Sequence, residues 1–206
     1  MVKRVIKTVI FDLGKVLIPF DFSRAYRAME RLCGYKASDI PARIGATDLV
    51  HRFETGLVEP HDFVEQLCAM LELRATYEQF CEIWSSIFLP DPLIPDSMLA
   101  GLRKRYRMLV LSNTNAIHFD MVRANYPLLR HFDDLVLSYE VRAMKPSPLI
   151  YQAALERAQC RPEECFYTDD IAEYVEGARK QGIDAVQFTS REQLERDFES
   201  RGIQWQ

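Results

Sequence analysis

The feature that most constrains this chain is a change of rhythm at Pro90, Pro92 and Pro95. Prolines so spaced mark a junction. Beyond them, β-rich runs alternate with amphipathic stretches to the end of the chain. RMLVLSN, DLVLS, ECFYTDD and DAVQF read as strands. PDSMLAGLRKRY, AIHFDMVRANY, SPLIYQAALERAQ, AEYVEGARKQG and SREQLERDFES read as helices. That alternation builds βαβ units and a parallel sheet with helices on both faces. VIKTVIF at 5–11, ended by Asp12-Leu13-Gly14, is a further buried strand.

Between that first strand and the prolines, residues 22–89 read as helix after helix with no strand among them. FSRAYRAMERLCG runs from a Ser23 cap to Gly34, and TDLVHRFETG from Thr47 to Gly56. PHDFVEQLCAMLEL opens on Pro60, and TYEQFCEIWSSIF opens on Thr76. The expected fold class is α/β. Residues 1–15 and 91–206 form a Rossmann-like core, a parallel sheet with helices on both faces. Residues 16–90 form an inserted all-α cap over the C-terminal end of the first strand.

Composition narrows the partners. The 206 residues carry 26 Lys and Arg against 30 Asp and Glu, a formal charge of −4. That balance argues against nucleic acid or an anionic membrane surface as the main partner. No stretch reaches the ~18 uninterrupted apolar residues of a membrane span. The opening MVKRVIKTVIFDLGKVLI is interrupted by Lys7, Asp12 and Lys15 and lacks a signal-peptide cleavage site. The five cysteines, at 33, 68, 81, 160 and 165, have no zinc spacing and read as small buried apolar residues in a reducing compartment. The expectation is a cytoplasmic protein, monomer or homodimer, acting on a small molecule.

Polar groups gather where strands end: Asp12, Ser112-Asn113 and Asp169-Asp170, with Lys145 just ahead of a helix in MKPSP. Open parallel sheets bind ligands outside the carboxyl ends of their strands, at a topological switch point. Singly, each group has a plain alternative. Asp12 could cap a turn, Ser112 could close a local turn, Lys145 could be a solvated cation, and the acid pair could sit at a helix N-terminus. Together they suit phosphoryl transfer. A carboxylate can attack phosphorus and form an aspartyl-phosphate. Two acids can hold Mg²⁺, and the metal and a lysine neutralise charge on the transferring group.

VIFDLGKVL at 9–17, VLSNTN at 110–115, MKPSPLIY at 144–151 and FYTDDIAEYVEGA at 166–178, with FETG at 53–56, carry a resemblance spanning nearly the whole chain. The sequence resembles the haloacid dehalogenase superfamily hydrolases with an inserted helical cap. Among them it is most similar to sugar-phosphate phosphatases of the bacterial α-D-glucose-1-phosphate phosphatase type. The resemblance implies that Asp12 is the nucleophile, that Ser112 and Asn113 bind phosphate, and that Lys145 steadies both. It implies Mg²⁺ as cofactor, held by Asp12, the carbonyl of Gly14 and Asp170, with Asp169 beside them. The implied substrate is a small phosphate ester.

The pattern breaks at Gly14, where most phosphatases of the superfamily have an aspartate that protonates the leaving group. A positioned general acid or base is worth about 10² to 10⁴ in rate. Three readings follow: a phosphatase whose leaving group needs little protonation, such as a sugar 1-phosphate; a catalytically weak phosphate-binding protein; or a haloacid dehalogenase, which the acid pair argues against. Tyr174 and Ile171 also replace commonly polar residues, with expected effects on support of the metal or lysine. Lys15 reads first as a solvent-facing cation. Phe20, Asp21, His51, Arg52 and Glu54 fall near the expected mouth. Ordinary helix-surface salt bridging is the first reading for Asp21 and Glu54, and contact with sugar hydroxyls the second. Trp84 and Phe88 read as cap core, and His118 and His131 as structural.

Overall fold

The computed structural model describes residues 5–206, so the first four residues of the expected core segment lie outside the described part. Strand β1 (Thr8–Phe11) is followed by five helices: α1 (Phe22–Glu30), α2 (Ile40–Gly45), α3 (Leu49–Glu54), α4 (Pro60–Leu71) and α5 (Tyr77–Ser85). Then come α6 (Asp96–Arg103), β2 (Arg107–Ser112), α7 (Ala116–Asn125), β3 (Asp134–Leu137), α8 (Ser138–Val141) and α9 (Pro148–Ala158). The chain ends with β4 (Cys165–Asp169), α10 (Ala172–Lys180), β5 (Asp184–Gln187) and α11 (Arg191–Arg201).

All neighbouring strands pair in parallel, in the order β3-β2-β1-β4-β5. Phe11 is level with Val110 on one side and Thr168 on the other. Asp12 is therefore level with Asp169, and Ser112 lies one residue further along. From β1 the chain builds outward through β2 and β3, then returns to lay β4 and β5 on the opposite side. The crevice beside β1 is thus the switch point of the sheet.

Side chains alternate across the sheet with the two-residue strand period. Val9 and Phe11 enter one core with Leu102, Phe119 and Phe198, from α6, α7 and α11. Ile10 enters the other with Tyr151, Ala154 and Val175, from α9 and α10. The helices between β1 and α6 bury a third cluster, with Phe53, Phe63, Phe80 and Trp84 at its centre. Phe53 and Phe63 stack with ring centroids 4.0 Å apart. Ile117 of α7 joins this cluster and ties it to the sheet.

Several local expectations change. α1 is capped by Asp21, not Ser23: the Asp21 carboxylate accepts from the Ser23 backbone N–H at 2.9 Å. The helix stops at Glu30, four residues before Gly34. α2 and α8 are short helices without a sequence expectation of their own. Thr76 does cap α5. Its hydroxyl accepts from Gln79 N–H, and the Gln79 side chain accepts from Thr76 N–H, a reciprocal box worth about 1 kcal/mol. All five cysteines are free thiols. Only Cys165 is buried and the other four are half-buried, so the reading of them all as buried core residues does not hold. Among the described residues no helix is long and apolar enough to cross a membrane.

His118 fastens α7 to α5. Its Nε2–H donates to the Trp84 carbonyl at 3.0 Å, and its Nδ1 accepts from the Asn115 amide at 3.1 Å. Burial lowers its pKa from 6.5 to about 4. The unfolded chain therefore binds the extra proton between those values, and stability falls as pH drops through that window. The expected loss from this residue is about 3 kcal/mol. Urea midpoints at pH 7 and 4.5 test this: wild type should lose more stability on acidification than His118→Gln, in which the shared carboxylate effects remain.

Candidate active site

Parallel strands place their C-terminal ends on one edge, and the chemistry-bearing residues converge there. Asp12 directly follows β1, Ser112 ends β2 and Asp169 ends β4; all three are buried. The Asp12 backbone N–H donates to the Thr168 carbonyl at 3.0 Å, which continues the β1–β4 ladder to the carboxylate itself.

Lys145 reaches into this edge from the turn before α9 and is almost fully buried. Its Nζ lies 2.7 Å from Asp12 Oδ1 and 2.6 Å from Asp169 Oδ2. It also donates to the Leu111 carbonyl and the Tyr167 hydroxyl, each at 3.2 Å. Burial alone would lower its pKa, but the Asp12 and Asp169 charges and their hydrogen bonds outweigh that and raise it. The lysine is therefore a fixed cation. Burial raises the Asp12 carboxyl to about 7, against the pull of Lys145 and with a further push from Asp169. Asp170 is also raised, first by burial and then by Asp169.

Asp12, Asp169 and Asp170 each offer an oxygen within 4.8 Å of the others. Three carboxylates, two of them bridged by the Lys145 ammonium, form a hard, oxygen-only donor set, which suits Mg²⁺ or Ca²⁺ and not a soft metal. Of the three, Asp169 is the most committed: Oδ1 accepts from Ile171 N–H at 2.9 Å, and Oδ2 accepts from Lys145 and from the Tyr167 hydroxyl.

Asn113 sits beside the lysine with its side chain engaged on the backbone of Lys145. Its Nδ2 donates to the Lys145 carbonyl at 3.0 Å, and its Oδ1 accepts from Lys145 N–H at 2.8 Å. The side chain is a clamp on the lysine, so the group Asn113 leaves for an anion is its backbone N–H, which has no partner among the described residues. Tyr174 joins the clamp. Its hydroxyl accepts from Asn113 Nδ2 at 3.4 Å, and Lys145 Nζ lies 5.1 Å from its ring centroid. Ile171 supplies a backbone N–H to Asp169 while its own side chain is exposed. A polar side chain there is not needed for that bond.

Tyr167 is the supporting residue missing from the sequence reading. It lies two residues before Asp169 and so on the same side of β4, which puts its hydroxyl on the Asp169 carboxylate. The period-two spacing of an aromatic hydroxyl and a terminal acid on one buried strand was the available signal.

At the mouth, Phe20 takes the space that a side chain at position 14 would need. A Cβ on Gly14 would lie 2.7 Å from Phe20 Cε1. Lys15 is exposed, with its Nζ 5.1 Å from the Phe20 ring centroid. Phe88 lines a small cavity of about 70 Å³ with Gly14, Phe20, Glu54, Ser112 and Asn113, so it belongs to the site as well as to the packing. Asp21 is spent on capping α1. Glu54 makes no hydrogen bond or salt bridge among the described residues, contrary to the salt-bridging expectation, and burial raises its pKa to about 7.

A doubly wound parallel sheet with an acid, an anchored lysine and an acid pair at its switch point defines a class of hydrolases. The family description "haloacid dehalogenase-like hydrolase" matches residues 6–182, and the chain belongs to that family. Among curated proteins it is 27% identical over 188 residues to D-ribitol-5-phosphate phosphatase of Bacteroides thetaiotaomicron, covering 88% of this chain and 91% of that one. It is 29% identical over 216 residues to a phosphatase of Mycobacterium tuberculosis, covering 96% and 95%. Within the family the chain thus groups with the phosphatases. Among solved structures, a haloacid dehalogenase family enzyme of Bacteroides thetaiotaomicron in complex with magnesium and inorganic phosphate superposes with a TM-score of 0.80 at 29% identity. That match covers 90% of this chain and 96% of the other.

Proposed function

We propose that this chain is a magnesium-dependent phosphatase of a small phosphorylated metabolite, a sugar or polyol phosphate in class. In this reading Asp12 is the nucleophile and forms an aspartyl-phosphate. The observation that carries it is the single Lys145 ammonium held between Asp12 and Asp169 at the end of the central strands, with Asp170 beside them. The acid cluster also argues against a carbon–halogen hydrolase, which needs no metal. The substrate class draws on the relative that acts on ribitol 5-phosphate. In this reading residues 1–15 and 91–206 supply the nucleophile, the lysine and the metal ligands, and residues 16–90 cap the site and select the substrate.

The chain's own groups divide the work as follows. Lys145 opposes the effect of burial on the Asp12 carboxyl and holds it in place, and its charge offsets that of an incoming phosphoryl group. Ser112 and the Asn113 N–H bind phosphoryl oxygens. Asp169, already hydrogen-bonded through both oxygens, orients the lysine. Direct metal ligation falls to Asp12, Asp170 and the Gly14 carbonyl, with Asp169 in support. Bound there, Mg²⁺ would supply a further positive charge to the transferring phosphoryl group. Phe20 and Phe88 wall the small cavity above Gly14.

The test is a panel of sugar phosphates, polyol phosphates and an aryl phosphate, with release of inorganic phosphate measured in Mg²⁺ and in chelator. Turnover that needs Mg²⁺ is the expected result. Undiminished turnover in chelator contradicts the metal assignment. Phosphate binding without turnover across the panel contradicts the enzymatic one.

A further inference from the structure

With glycine at position 14, the site has a nucleophile and an anchored cation but no residue there to move a proton. We propose that Glu54, the last residue of α3, is the general acid and base of this site. The inference rests on the phosphatase reading above and deepens it.

The geometry comes first. Glu54 lines the same small cavity as Gly14, Ser112 and Asn113, walled by Phe20 and Phe88. It has no hydrogen-bond or ion-pair partner among the described residues, so its carboxyl is uncommitted. Its placement is rigid. Two residues on, Gly56 turns the chain with a φ of +65°, and a Cβ there would lie 2.1 Å from the Tyr139 carbonyl oxygen of α8, directly after β3. Only glycine allows that approach, and the contact seats the turn after α3 on α8, which directly follows β3, the strand paired with Ser112. Thr55 closes the same turn through its hydroxyl, which donates to the His51 carbonyl at 2.8 Å.

The electrostatics agree. Burial alone accounts for the upward shift of the Glu54 carboxyl to about 7. The titratable groups facing it are Tyr174 of α10, whose phenol its charge helps to raise, and His118 of α7, which is neutral. No charged group of α2, α4 or α8, the helices that pack on α3, contributes to its shift. A carboxyl poised near neutrality can both give and take a proton.

The proton balance closes over two steps. Asp12 Oδ bonds to phosphorus as the bond from phosphorus to the leaving oxygen breaks, and the Glu54 proton passes to that oxygen to give the alcohol. Water then bonds to phosphorus and gives its proton to the Glu54 carboxylate. The Asp12–phosphorus bond breaks, releasing inorganic phosphate and the free Asp12 carboxylate.

The experiment compares wild type with Glu54→Gln on a polyol phosphate, whose leaving group needs a proton, and on a nitrophenyl phosphate, whose leaving group does not. For Glu54→Gln, first-turnover phosphoryl transfer from the polyol phosphate should fall about 10²-fold or more. Its first-turnover burst of nitrophenolate should stay near the wild-type rate, followed by slow turnover because water is no longer activated. Glu54→Asp, matched to wild type in Tm, should fall between the two. Equal loss on both substrates in the first turnover, or a change in KM alone, overturns the assignment. Wild type without turnover on any phosphate ester overturns the phosphatase reading itself; an active wild type matched by Glu54→Gln overturns this assignment alone.

Discussion

Asp12→Asn is expected to fold normally and to lose phosphate-ester turnover by about 10⁴ to 10⁶ in kcat, the scale seen when a covalent nucleophile is removed. An amide oxygen can still accept from Lys145 Nζ, now 2.7 Å from Oδ1, but it does not displace an alkoxide from phosphorus. The backbone stays fixed because the residue-12 N–H bonds the Thr168 carbonyl whatever the side chain. The variant also removes one of the carboxylates that crowd a single ammonium, so its Tm should stay at or above that of wild type. A Tm scan and a steady-state phosphate assay decide it. Activity within tenfold of wild type would remove Asp12 from the chemistry.

Lys145→Met should have the largest effect on stability. It preserves much of the side-chain volume but leaves Asp12 and Asp169 buried and facing each other without their cation. Breaking a buried ion pair from one side costs about 3–5 kcal/mol. The cost is uncompensated carboxylate charge, which gives two further signatures. Carboxylates that repel have raised pKa values, so the folded state of the variant takes up protons first, and its stability should rise as pH is lowered from 8 towards 5. Added Mg²⁺ should restore part of the loss, because a ligand that binds only the folded state stabilises it by mass action. Urea midpoints across pH, with and without Mg²⁺, measure both. In wild type the same lysine has a raised pKa, so its contribution is complete at neutral pH and is lost only as pH rises above the ordinary lysine range.

The placement of the site was legible because it follows from topology. Once βαβ units are recognised, the sheet is parallel, and residues ending separate strands must share an edge; Asp12, Ser112 and Asp169 do so. Lys145 was legible as a member of the set, but its bridging of two carboxylates was not, since that depends on how deeply the turn before α9 enters the edge. Asn113 shows the limit of residue-type reasoning. A polar side chain next to a phosphate-binding hydroxyl suggests an anion contact, while the side chain in fact clamps the Lys145 backbone.

The short elements were least legible. α2 spans only IPARIG, too few residues for a helical period to show. At the start of α1 the cap expected at Ser23 falls to Asp21, because Asp21 is the residue that takes up extended backbone ahead of the helix. Glu54 was misread for a related reason. Its helix looks amphipathic and charged, with His51 and Arg52 close in sequence, but α3 is a helix of only six residues packed on α2, α4 and α8, and Glu54 lines the cavity without an ion pair among the described residues.

The most direct measurement of the central claim traps the intermediate. Wild-type protein turning over a phosphate ester in Mg²⁺ is quenched, reduced with borohydride and digested, and its peptides are read by mass spectrometry. The expected result is conversion of Asp12 to homoserine, dependent on substrate and on Mg²⁺ and absent from Asp12→Asn. Substrate-dependent modification of a different residue, with Asp12 unchanged, would contradict the account.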